Sequence, residues 1–190
     1  MAFRRGFKTE ANAIASEVRA ELGLTALAPL NPHDLAAHLD IPVHPLSGFS
    51  DLAEESVRVF SGTEQGAFSA VTVFRGRRRE IVHNDSHSLG RQHSNIAHEL
   101  AHGLLLHEPQ PALDDRGCRF WDGDAEDEAN FLGAALLLTE QAALAIVRRG
   151  VKPEDACRHF CISKRMLQYR LNVTGAHIRV QRERARRRKS

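Results

Sequence analysis

Apolar residues recur at helical spacing in the first part of the chain. Ala11, Ile14, Ala15, Val18 and Leu22 share one face over residues 9–22, and Gly23 supplies a stop. Asn31-Pro32 reads as an N-cap with proline at the first helical position, and Leu35, Ala36 and Leu39 give the short helix that follows one apolar face. Ile41-Pro42-Val43 reads as extended. Residues 46–66 are rich in Gly, Ser and acidic side chains and predict a loop. Ala67–Phe74 is β-branched and aromatic, Arg75-Gly76-Arg77 is a turn, and Glu80–His83 is a second strand, so a hairpin is predicted. After a loop to Gly90, a helix is predicted from about Arg91 to about Leu106, then an acidic loop. A further helix over about 124–147 carries a nearly unbroken apolar run from Phe131 to Leu138, the mark of a buried helix, and Gly150 ends it. Two short helices, about 153–160 and 163–171, precede a basic tail.

These elements predict an α+β chain, mainly helical, with a small antiparallel sheet. A length of 190 residues fits one domain with a small appendage. The expected division is 1–150 for the main domain, 151–176 for a helix-turn-helix-like pair packed on it, and 177–190 for a disordered tail. No apolar run approaches the roughly 20 residues that span a bilayer, so no membrane association is expected. The basic start Met1–Lys8 has no apolar signal core after it, and three cysteines make no disulfide framework; a reduced, cytoplasmic setting is expected. The net charge of +2 divides into +6 for residues 179–190 and −4 for the rest. The first ten residues, basic as well, are expected to fray.

Chemistry concentrates in His98-Glu99-Leu100-Ala101-His102. Histidines at i and i+4 share one helix face, so both imidazoles can reach one ion. Glu99, one residue on, can touch a water at that ion without being a ligand. This is the logic of the HExxH zinc hydrolases, in which zinc acidifies water and the glutamate takes its proton. The neighbours Ile96, Ala97, Leu100, Ala101 and Leu104 predict a buried helix, where two unpartnered imidazoles and a carboxylate would be costly.

A catalytic zinc takes three protein ligands and keeps an open position. His107 lies about 140° around the helix from His102 and faces elsewhere unless the helix ends early. The downstream helix offers Glu126 and Glu128. Glu126 is favoured because Asn130, four residues on, can support it; Glu128 is expected to face solvent or a basic partner. A carboxylate from a second buried helix is the gluzincin arrangement, so the core is expected to be zincin-like. Arg91, His93, His83 and His87 lie upstream as candidates for stabilising an oxyanion.

The run from Arg91 through His98-Glu99-Leu100-Ala101-His102 to His107, followed by Glu126-Asp127-Glu128-Ala129-Asn130-Phe131 and the apolar stretch to Leu138, resembles the ImmA/IrrE family of metallopeptidases. The resemblance covers about residues 9–175. It implies that Glu126 is the third zinc ligand, beside His98 and His102. It implies an intracellular zinc-dependent endopeptidase that cleaves a helix-turn-helix repressor and so releases stress or mobile-element genes. The chain departs from the family pattern at Leu138-Thr139, where Met-Pro is usual, and at Gly133, where Ala is usual. The first departure is expected to affect helix termination more than chemistry, the second to be mild.

Residues 153–172 read as helix, turn, helix, with Ser163 as a cap and Lys164, Arg165, Gln168 and Arg170 on the second helix. Three roles are open: DNA readout, packing on the core, or docking of a substrate protein. A DNA-binding regulator with a structural or vestigial zinc site is therefore the alternative to a peptidase. Cys157 and Cys161 are expected to be buried free thiols, and Cys118 offers weak grounds for a cysteine switch. The basic tail can add salt-dependent nucleic-acid contact or lie on the acidic loop.

Overall fold

The computed structural model describes residues 3–76, 78–108 and 123–188. Cys118 and the acidic loop lie outside the described residues. The chain begins with α1 (Phe7–Glu21), whose buried stripe is Phe7, Ala11, Ala15 and Val18, and α2 (Pro32–His38), capped by the Asn31 side chain, which accepts from the His33 amide. β1 (Val43–Pro45) leads through a single 3-10 turn into α3 (Ser50–Ser61). The hairpin strands are β2 (Ala70–Arg75) and β3 (Arg78–His83). Then come α4 (Leu89–Leu104), α5 (Gly123–Leu137), α6 (Glu140–Arg149), α7 (Pro153–Phe160), α8 (Lys164–Val173) and α9 (Ala176–Arg187).

The sheet is not purely antiparallel, as expected, but mixed. Its order is β1-β3-β2: β2 pairs antiparallel with β3, and β1 adds in parallel on the other side, with Val43 opposite Ile81. The parallel pairing follows from the long connection through α3, which the sequence pattern had as a loop. α3 escapes detection because only Val57 on it is buried, Leu52 is 85% exposed, and its backbone breaks at Ala53. Asn84, fully buried, ties this segment to the hairpin by donating to the carbonyls of Phe60 and Phe68.

α4 and α1 both pack on α5. Residues 3–10 do not fray as expected, because Phe3 and Phe7 form an aromatic cluster with Phe131 of α5. The single helix expected over 124–147 is two, bent by 56°. Thr139 makes the break, its hydroxyl accepting from the Ala142 amide to cap α6. A threonine thus restarts the helix at the departure from the family pattern. The buried guanidinium groups of Arg19 and Arg170 donate to the carbonyls of Leu136 and Leu138 at the C-terminal end of α5, carbonyls that the bend frees from helical partners.

The last helices are part of the same core. Ile162, Leu167, Leu171, Ala176 and Val180 join its buried cluster. The α7–α8 turn lies so close to α4 that a Cβ at Gly90 would sit 3.1 Å from the Ile162 carbonyl carbon. Residues 177–187 of the tail expected to be disordered lie in α9, because Ala176 and Val180 present one buried stripe and ion pairs Arg179–Glu140 and Arg148–Glu183 tie it to α6. Among the described residues no single helix is long and apolar enough to cross a membrane; α5 and α6 together pass on length and composition, but bent, and with their apolar side chains in the core.

Candidate active site

α4 is amphipathic with a purpose visible in its register. Ile96, Ala97, Leu100 and Ala101 go into the core, and His98, Glu99 and His102 lie half-buried beside them. α5 crosses this face so closely that a Cβ at Gly133 would meet the Ala97 carbonyl oxygen at 3.0 Å and the His98 Cα at 3.1 Å. That approach brings Glu126, at the start of α5, against both histidines.

The three side chains converge. His98 Nε2 and His102 Nε2 are 3.1 Å apart. The Glu126 carboxylate oxygens lie 3.3 Å from His98 Nε2 and 3.6 Å from His102 Nε2. Zinc bonds of about 2.0–2.1 Å at tetrahedral angles separate ligand atoms by roughly 3.3 Å, so the spacings fit. Among the described residues this is the group of His, Cys, Asp and Glu side chains that could hold a metal ion. Two imidazoles and one carboxylate are also a donor set that zinc uses in hydrolases, leaving a fourth position open.

The electrostatics fit the same use. Burial opposes charging His98, but the Glu126 and Glu99 carboxylates and the Asn130 amide outweigh it and raise its pKa. His102 is pushed down to about 4 by burial and by His98, with His107 and Arg79 adding to the effect. One proton near Glu126 can therefore stand where a cation would, and His102 stays neutral, the form that binds metal.

Glu99 is held from the sheet: Thr72 of β2 donates its hydroxyl to Glu99 Oε2 at 2.6 Å. The other carboxylate oxygen stays available for a proton. Neither Thr72 nor Arg79 stands out in the sequence. Arg79 on β3 places its guanidinium over Gly103, 2.6 Å from where a Cβ would be, and stacks on Phe74. A residue with a side chain at position 103 would displace this cation from the neighbourhood of His102.

The remaining candidates separate. Asn130 lies against the His98 ring, although no well-aligned hydrogen bond reaches His98 Nδ1. Arg91 donates to the Ser69 hydroxyl at 3.0 Å and sits two turns of α4, about 12 Å along its axis, before Glu99. His93 is on the opposite side of α4: five residues before His98 is about 140° around a helix, and its buried ring meets His33. His83 belongs to that same histidine group. His87 is buried with its Nε2 on the Gln65 carbonyl. Cys157 and Cys161 are half-buried free thiols, each with a pKa raised by burial, and neither is near the metal candidates. On α8, Lys164 is ion-paired to Glu154 of α7.

A helix with HExxH and a glutamate delivered by a second helix define the class: a metallopeptidase-type site. The family of peptidases described as the IrrE N-terminal-like domain matches residues 46–172, and the chain belongs to it. The match spans β2, α4 and α5 and ends within α8, and so includes every residue of the candidate metal group. No curated protein and no solved structure matches the chain in the corresponding comparisons.

Proposed function

We propose that the chain is a cytoplasmic zinc-dependent endopeptidase that cuts a helix-turn-helix transcriptional repressor as a regulatory step. The observation that carries the peptidase reading is the triangle of His98, His102 and Glu126 at zinc-ligand spacing, with Glu99 beside it on the same helix. His98, His102 and Glu126 would hold zinc, which supplies Lewis acidity that acidifies water and polarises a carbonyl. Glu99 takes a proton from the attacking water and passes it to the leaving amide nitrogen. Thr72 fixes one Glu99 oxygen by hydrogen bond, so the other has one orientation in which to work.

Among the described residues β2 is one of the two edge strands of the sheet, and its Thr72 side chain reaches Glu99. An extended peptide adding to that edge would be held by main-chain hydrogen bonds, which place a scissile bond without demanding a particular sequence. Such a mode suits a flexible segment of a folded regulator. The repressor as substrate rests on family membership.

The test incubates the full chain with helix-turn-helix repressors encoded near it, with and without a chelator. A repressor fragment that appears with wild type, and is absent with chelator or with Glu99→Gln, is the expected result. A fragment produced equally by Glu99→Gln would reject Glu99 as the base. No fragment from any such repressor, while an unstructured protein is cut, would reject the substrate and leave the peptidase.

A further inference from the structure

His107 is not where a continuous helix would put it. α4 ends at Leu104, and Leu106 adopts a left-handed backbone with φ of 55°. The Leu106 amide donates to the Gly103 carbonyl and the His107 amide to the His102 carbonyl, a paired terminal turn that usually uses glycine at this position. Leu106 gains little in return, since its side chain is 81% exposed. What the turn achieves is to fold His107 back onto His102. Their Nδ1 atoms are 2.9 Å apart.

The protons in this contact have one consistent arrangement. Glu128 Oε2 lies 3.6 Å from His107 Nε2, and Arg4 holds the carboxylate from its other side, donating from Nε to Oε1 at 3.0 Å. Arg4 is itself anchored by Glu10. A carboxylate facing His107 Nε2 favours a proton on that nitrogen. In a neutral ring, Nδ1 is then an acceptor. The 2.9 Å contact needs one donor, so His102 carries its proton on Nδ1. His102 Nε2 is left with a bare lone pair, and it is the atom that faces His98 and Glu126.

We propose that His107 and Glu128 are positioning residues for the metal centre: together with Arg4 they lock His102 in the tautomer and ring orientation whose Nε2 binds zinc. This rests on the reading of His98, His102 and Glu126 as the metal ligands. Partners of this kind typically change metal affinity 10–100-fold when removed. Here the partner is a histidine with a carboxylate behind it, and it is positioned by a left-handed turn at a leucine.

The test measures zinc dissociation constants by competition with a chromophoric chelator, alongside the melting temperature of the zinc-free chains. The expected result is at least about 10-fold weaker zinc binding for His107→Ala and a smaller loss for Glu128→Gln. His107→Gln should recover part of the affinity, because its amide oxygen can accept from His102 Nδ1. Glu128→Gln should have no further effect in the His107→Ala background, since its route to the metal is gone. Wild-type affinity within twofold in His107→Ala would overturn the proposal. So would equal losses from Glu128→Gln with and without His107. A wild-type chain that takes up no zinc would overturn the metal site itself, and with it this proposal. A uniform fall in melting temperature without change in zinc affinity would assign these residues to folding alone and overturn the positioning role.

Discussion

Gly133→Ala is the perturbation that most sharply tests how the two motif helices fit. In an unconstrained helix interior, alanine is favoured over glycine by about 1 kcal/mol. For a domain of this size such a gain would raise the melting temperature by roughly 2–4 °C. The close crossing reverses that expectation. The new Cβ would meet three backbone atoms of α4: the Ala97 oxygen at 3.0 Å, and the Ala97 carbonyl carbon and the His98 Cα at 3.1 Å. Ordinary contact there begins near 3.4 Å, and none of the three is a flexible side chain that can swing aside. α5 must lift by a few tenths of an ångström, which loosens the Ala129, Leu132 and Leu136 contacts around it. Overpacking of this kind typically costs 1–3 kcal/mol, so the net effect is destabilisation of about 0–2 kcal/mol. The same lift moves Glu126 away from His98 and His102, and zinc affinity should fall several-fold. Thermal denaturation and chelator competition on purified wild type and variant measure both. A variant that melts 2–4 °C higher with unchanged zinc affinity would refute the close crossing as the device that aligns the ligands.

Other expectations follow from single features. Leu106→Gly relieves a left-handed backbone at a leucine that buries almost nothing, and should stabilise the chain by about 1 kcal/mol; a lower urea midpoint would contradict this. Burial and the neighbouring His33 depress the pKa values of His83 and His93, so the unfolded chain binds more protons once the pH falls below about 6.5. Their contribution to stability is complete above that pH and is lost as the pH falls through the depressed folded values, with a slope of at most about 1.4 kcal/mol per pH unit for each. Urea midpoints of the metal-free chain across this range should fall less steeply in His83→Gln and His93→Gln than in wild type, and identical slopes would count against buried neutral rings. Thr72→Val removes the hydroxyl that holds Glu99 and should lower kcat about 10-fold while leaving zinc content unchanged; unaltered kcat would deny Thr72 that role.

The parts of the fold legible in the sequence are those where one residue pattern has one physical solution. α4 and α5 carry apolar faces beside polar residues, and the two-histidine spacing has meaning only on a helix. The wheel angle between His93 and His98 is also legible in the sequence, and it places His93 on the wrong side of α4 although it is close to the motif along the chain. α3 was hidden because serine and acidic residues dominate its sequence and read as a loop, although Ala53, Val57 and Phe60 recur at helical spacing; of its side chains only Val57 is buried. α9 was hidden because its arginines mask the stripe of Ala176 and Val180. The pairing of Thr72 with Glu99 depends on how the hairpin lies on α4, which no local pattern encodes. His107 is the clearest case: its return to His102 depends on a left-handed leucine, and a leucine gives no sequence signal for that conformation.

The central claim is that His98, His102 and Glu126 hold a zinc ion that Glu99 uses to cut peptide bonds. The most direct measurement is cleavage of an unstructured protein per bound zinc, with wild type and Glu99→Gln assayed side by side and zinc content determined on the same samples. The account predicts about one zinc per chain in both and cleavage at least 100-fold slower in Glu99→Gln. Equal cleavage by the two proteins, or cleavage by wild-type chains carrying no metal, would contradict it.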